Sequence, residues 1–351
     1  MLAAVGGTYP VKKTERKKII NILFLAVVFF LTLWSVFHGE DLRNMLFFLS
    51  TADFRFIAPS IVCVILFIIG ESVVIFYLMR TLGTHVQFSH CCLYSFIGFF
   101  YSCITPSASG GQPMQVVAMR KDKIPVAVST VVLAIVTITY KLVLVLIGVA
   151  VLLIRPAQMM IYLEPVESII YLGLALNVVC IAILLLLVFH SNFIRVLAEK
   201  SLNIVNKIRP LRNLQELRDK LESVLVQYQG AAEFYRSHKH VIVKVFLITL
   251  LQRCTLFLIT WFTYRSFGLS KYSMLLIIGL QAMISVAVDM LPLPGGMGIS
   301  EYLFLTIFQP IFGEALILPG MIISRGIGYY TQLLISAFMT AIASFVIKEK
   351  R

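Results

Sequence analysis

The chain has 351 residues, 59% of them hydrophobic and 13% charged, with a mean hydropathy of +0.92. An ordinary soluble protein carries about 25% charged residues, so this composition excludes a soluble domain, a disordered chain and a secreted disulfide scaffold. The formal net charge of +13 then reads as a bias between two sides of a membrane, not as an affinity for nucleic acid.

Residues 1–18 form a basic N-terminus containing Lys12, Lys13, Arg16, Lys17 and Lys18, and an apolar run follows over 19–37. That run exceeds the ~7–15 residues of a signal-peptide core and lacks a small-residue cleavage site after it, so it is read as the first span. Crossing a ~30 Å hydrocarbon core takes ~20 apolar residues. The runs 57–79, 126–154, 168–189, 241–264 and 319–346 satisfy this as well. Two more apolar regions, 91–119 and 272–313, are each interrupted by a Pro/Gly cluster. The arm 91–105 would reach only ~22 Å as a helix, and both regions are expected to be re-entrant hairpins. A full crossing by 272–291 stays open. The polar segment 190–240 is expected as amphipathic helices packed under the membrane domain. Its Lys207, Arg209, Arg212 and Arg218 offer a second reading as a surface for anionic headgroups. A short tail, 348–351, ends the chain.

The expected fold is an all-α polytopic membrane protein with about six full spans plus two hairpins, its membrane halves being 19–189 and 241–347. With the N-terminus inside, 22 Lys and Arg fall on the cytoplasmic side and five outside. This satisfies the positive-inside rule and places both termini in the cytoplasm.

The halves match at a fixed offset. Arg80 and Gly83 correspond to Arg265 and Gly268, Gly110-Gly111 to Gly295-Gly296, and Lys141 to Arg325 one residue out of register. Since Arg80 falls inside and Arg265 outside, the halves are expected to be inverted repeats. Paired Pro/Gly interruptions in inverted repeats are the best sequence pointer to a transporter's binding site. Irregular backbone at membrane depth is tolerated only where protein buries it or where it lines a cavity. A helix starting after such a break presents free N–H groups suited to phosphate. Gly110, Gly111, Gln112, Gly295, Gly296 and Gly298 are therefore candidate phosphate-binding positions.

Six ionisable residues fall within the apolar regions: Lys141, Arg253, Arg325, Glu71, Asp289 and Glu301. Charges there are costly and usually face one another or water. The cations are candidates for a lipid phosphate. The three acids are candidates for a headgroup amine, a proton or charge balance, and mutual neutralisation is the competing reading. The six cysteines have no zinc-ligand spacing, and no Walker loop, dinucleotide fingerprint or nucleophile elbow occurs. No catalytic residue, metal or cofactor is expected.

Pro294-Gly-Gly-Met-Gly-Ile-Ser-Glu301, with Asp289 before it and Arg325 after it, resembles the flippase-like membrane family found as the N-terminal region of lysylphosphatidylglycerol synthases. Ser109-Gly-Gly-Gln-Pro113 and the Met-Arg-Lys121 stretch fit its weaker motif, and the resemblance runs from about residue 18 to 347. It implies a multi-pass protein of a bacterial or archaeal cytoplasmic membrane whose partner is a membrane phospholipid. The implied function is translocation of aminoacylated phosphatidylglycerol between leaflets, which lowers negative surface charge and resists cationic antimicrobial peptides. Aminoacyl transfer belongs to a separate soluble domain in the bifunctional members. The chain ends four residues after its last apolar run, so phosphatidylglycerol lysyltransferase activity is the secondary reading. The family resemblance is also compatible with a membrane subunit for a separate synthase, and with a transporter of another polar lipid such as a glycolipid precursor. A homo-oligomer stays open.

Overall fold

The computed structural model describes residues 50–190, 195–196, 199–200 and 214–347. The expected first span 19–37, the basic N-terminus, the tail 348–351 and the residues Lys207, Arg209 and Arg212 lie outside them. All regular structure among the described residues is helical.

The first long helix, α1 (Phe54–Thr81), starts where the Asp53 carboxylate accepts the Arg55 N–H at 2.9 Å. A hairpin follows: α2 (Phe88–Cys103), a 3-10 turn over Pro106–Ala108, and α3 (Gly111–Lys121). Helix α4 (Val126–Ile154) ends at a left-handed Arg155 followed by Pro156. The short α5 (Ala157–Leu163) leads into α6 (Glu167–Phe189). Polar α7 (Leu214–Ser237) precedes α8 (Lys239–Ser266). The second hairpin comprises α9 (Met274–Val288), a turn over Pro294–Gly296, and α10 (Ile299–Phe312). Last come α11 (Glu314–Arg325), a π-helical turn over Gly326–Thr331, and α12 (Gln332–Val346).

Five helical stretches among the described residues are long and apolar enough to cross a membrane: α1, α4, α5 with α6, α8, and α11 through α12. They coincide with the five spans read from the sequence after 19–37: 126–154 is unchanged, 168–189 is lengthened by α5, and the other three are extended by a few residues. The hairpin arms are shorter. Helix α9 has 15 residues, or about 22 Å, which is less than a bilayer core; 272–291 therefore does not form one full-length spanning helix.

One long helix of each half has matching boundaries. Helices α1 and α8 begin and end 185 residues apart, and Gln252 of α8 donates to the Phe67 carbonyl of α1 across that same separation at 2.9 Å. Both helices stop at a left-handed glycine, Gly83 at φ +74° and Gly268 at φ +73°. Those glycines explain the repeated Arg-x-x-Gly: a positive φ ends each helix at no steric cost. The pattern of broken hairpin followed by long helix also recurs, as α2–α4 and α9–α12.

Two large apolar clusters hold the bundle. One is built on α1 to α4 with Tyr235 of α7 in it; the other joins α9, α10 and α11 to α5 and α6. A third, around Phe67, Phe99, Ile259 and Ile327, connects the halves. Outward residues such as Leu153, Leu251, Leu275 and Phe345 are highly exposed, as a lipid-facing surface requires.

Candidate functional site

The two hairpin turns meet. The Ser107 hydroxyl, at the tip of the first, donates to the Leu291 carbonyl of the second at 3.2 Å. The turns differ in how they bend. In the second, left-handed backbone falls on Gly295, Gly296 and Gly298. In the first it falls on Ser107 and Ala108, whereas Gly110 and Gly111 have right-handed helical geometry or lie within α3. Gly111 serves close approach instead: a Cβ there would meet the Gly98 carbonyl oxygen at 2.6 Å. The tip of the first hairpin is also tied to the π turn, since the Tyr329 hydroxyl donates to the Cys103 carbonyl at 2.9 Å.

Beside this junction lies a cavity of about 410 Å³, within the ~300–1,000 Å³ range of small-molecule sites. Of the residues singled out from the sequence, Glu71, Gln112, Lys141, Arg253, Asp289, Gly295, Gly296 and Arg325 line it. Gly110, Gly111, Gly298 and Glu301 stand outside the lining.

The six charges do not sort into three one-to-one pairs. Asp289, just past α9, takes two cations: Lys141 Nζ at 2.7 Å and the Arg253 guanidinium at 3.4 Å. Lys141 comes from the middle of α4 and Arg253 from the middle of α8. Arg253 is 2% exposed, lies with its guanidinium carbon 3.4 Å from the centre of the Tyr140 ring, and has an Nε with no hydrogen-bond partner among the described residues. Two cations share one carboxylate here, and the buried guanidinium keeps an idle donor, so this wall carries a surplus positive charge.

Arg325 is engaged differently. Its Nε donates to Glu301 at 2.8 Å, its NH2 group donates to the Gly295 carbonyl at 3.1 Å, and it packs over the Tyr329 ring. The other oxygen of Glu301 accepts the Gly298 N–H at 2.7 Å. The Glu301 side chain thus caps α10 and anchors Arg325, and the N-terminal end of α10 already has an anion beside it. Glu71 is the acid left over. It accepts the Gln115 side-chain amide at 2.7 Å, and no described cation lies within ion-pairing distance.

Sequence reading missed Gln115, Tyr140 and Tyr329. Gln115 and Tyr140 sit two residues after Pro113 and directly before Lys141, but an uncharged side chain in an apolar run carries no cost that would mark it. All six cysteines are free, and no described group of His, Cys, Asp and Glu could hold a metal ion.

The geometry is a charged cavity inside an apolar helical bundle. No curated protein sequence matches the chain. A family model described as "Lysylphosphatidylglycerol synthase TM region" matches residues 19–336, and the chain, a multi-pass membrane protein, belongs to that family.

Proposed function

We propose that the protein is a lipid flippase, translocating a phospholipid that carries both a phosphate and a cationic group, with aminoacylated phosphatidylglycerol as the substrate its family points to. The observation that carries this reading is the separation of charge in the cavity. One wall holds Lys141 and Arg253 against a single carboxylate; another holds Glu71 with no countercharge. A phosphodiester answers the first and an ammonium group the second. Hydrophobic tails stay in the bilayer while the headgroup passes through the cavity.

In this reading the protein sits in the cytoplasmic membrane with both termini inside, and its halves are inverted repeats. The first hairpin then enters from the cytoplasm and the second from outside, which is supported by the contact between their tips. Alternating access comes from movement of one half against the other. A membrane phospholipid is the partner this function requires.

The test is delivery of a labelled phospholipid to the outer leaflet of reconstituted vesicles. Lys141→Met leaves Arg253 and Asp289 as a neutral pair and removes the surplus charge. A charge-assisted hydrogen bond contributes ~1.5–3 kcal/mol, so transport should fall about tenfold or more. Undiminished transport by this variant removes the proposed phosphate site.

A further inference from the structure

The three acids of the bundle are held in unlike ways. Asp289 is clamped by two cations. Glu301 is fixed by Arg325 and by the Gly298 N–H. Glu71 has a neutral amide donor in Gln115 and lines the cavity directly. None of the described charged groups facing the cavity pairs with it: Cys103 of α2, Tyr140 of α4 and Tyr329 of the π turn are a thiol and two phenols, Lys141 and Arg253 pair with Asp289, and Arg325 pairs with Glu301.

Burial disfavours the charged form of a carboxyl group without a countercharge. Two species can resolve that in the empty and the loaded cavity: a proton, or the cationic group of a lipid. They compete for the same oxygens. We infer that Glu71 exchanges a proton for the headgroup's cation, so that lipid translocation is coupled to proton movement in the opposite direction. This deepens the flippase reading and rests on it.

The exchange conserves charge. In the empty cavity the Glu71 carboxyl holds its proton while accepting the Gln115 amide. When the headgroup enters, the O–H bond breaks, the proton passes to cavity water and out on the side to which the cavity is open, and the carboxylate pairs with the ammonium. On the far side the lipid leaves and Glu71 takes a proton from that solution. One proton therefore moves against each cationic headgroup: at Glu71 the ammonium replaces the departing proton and the charge there stays balanced, while the lipid phosphate is answered by the surplus cation of the Lys141 and Arg253 wall.

Linked protons appear as a pH dependence of binding. The probes are short-chain phosphatidylethanolamine, whose amine stays charged between pH 5.5 and about 8, and short-chain phosphatidylglycerol, which has no amine. For the full chain in detergent, log Kd for phosphatidylethanolamine should fall with a slope approaching one per pH unit as pH rises through the titration of Glu71, by proton linkage. Phosphatidylglycerol should show no such gain. Glu71→Gln should flatten the phosphatidylethanolamine slope, and Glu71→Asp should restore it. In vesicles, the wild-type protein should acidify the compartment from which lipid is taken.

A flat wild-type profile with phosphatidylethanolamine still bound overturns the exchange and leaves the flippase reading standing. A slope that persists in Glu71→Gln assigns the proton elsewhere and overturns the role of Glu71. A failure of the folded protein to bind either probe overturns both readings. If Glu71→Gln does not fold, the contrast between the two lipids on the wild-type protein still decides the matter.

Discussion

At the scale of single residues, the most consequential feature is the unequal sharing of charge at Asp289. Removing one member of a buried ion cluster costs what is left unpaired, not what is removed. Asp289→Asn leaves both Lys141 and Arg253 without a carboxylate. Lys141→Met leaves a neutral pair. The expected order of thermal stability in detergent is therefore wild type and Lys141→Met close together, with Asp289→Asn lower by ~3–5 kcal/mol. Equal loss in the two variants would mean that Arg253 finds another anion. Combined with the transport prediction, Lys141→Met becomes the informative variant, because it should retain the fold and lose the function.

The glycines of the second turn offer a separate test at the same scale. Gly295 and Gly298 both have positive φ, at +58° and +84°. A Cβ on Gly298 would meet nothing within 4 Å, whereas one on Gly295 would run into the Tyr329 ring. Gly298→Ala should cost only its strained positive-φ backbone, ~1–3 kcal/mol. Gly295→Ala should cost more, because Tyr329 must also move, taking its bond to the Cys103 carbonyl with it. Thermal melts of the two variants check the order. The same contrast explains what sequence could and could not tell: the Pro/Gly break was legible from composition, but which glycine is there for φ and which for close approach depends on a tertiary neighbour. In the first turn the left-handed positions are not glycines at all, but Ser107 and Ala108.

At the scale of elements, the helices were legible because a span must be apolar for about 20 residues, and that signal survives without any knowledge of packing. The boundaries of α4 match the sequence reading, and those of α1, α6 and α8 differ from it by a few residues only. The π turn over Gly326–Thr331 was not legible. Its residues belong to an apolar run like any other, and a π turn is a change of register that no periodicity count detects over six residues. Yet it separates Arg325, which faces the cavity and Glu301, from α12, which packs on α2. The Arg325–Glu301 pair links two helix ends: Arg325 closes α11 and Glu301 lies in the first turn of α10. A double-mutant cycle of Arg325→Met and Glu301→Gln should give a coupling energy of ~1–3 kcal/mol, the double variant being less destabilised than the two single variants combined. Glu301→Gln should be the worse single change, since it disturbs both the half-buried Arg325 and the start of α10. Additive effects would show that the two side chains act independently.

At the scale of the whole molecule, the six charges retained inside an apolar bundle and the two matched breaks are parts of one construction. The breaks bring irregular backbone to the middle, five of the six charges line the resulting cavity, and the long helices α1 and α8 pack on each other at equivalent positions of the two halves. Sequence placed the charges in spans but not against one another, because Lys141, Arg253 and Asp289 come from three helices whose neighbours are set only by folding. If the halves move against each other during transport, the contact between hairpin tips must break and reform. The link made by the Ser107 hydroxyl is a single hydrogen bond of 3.2 Å to Leu291, with a longer one of 3.5 Å to Met290, which suits a contact that opens in every cycle. A cysteine at each of positions 107 and 291, in a background with the six native cysteines replaced, allows the tips to be tethered by a short thiol cross-linker. The tethered protein should remain folded, bind lipid and fail to deliver it, and a cleavable linker should restore delivery on reduction. Delivery that continues with the tips joined would mean that the lipid path opens elsewhere, and that the two halves are a rigid frame around it.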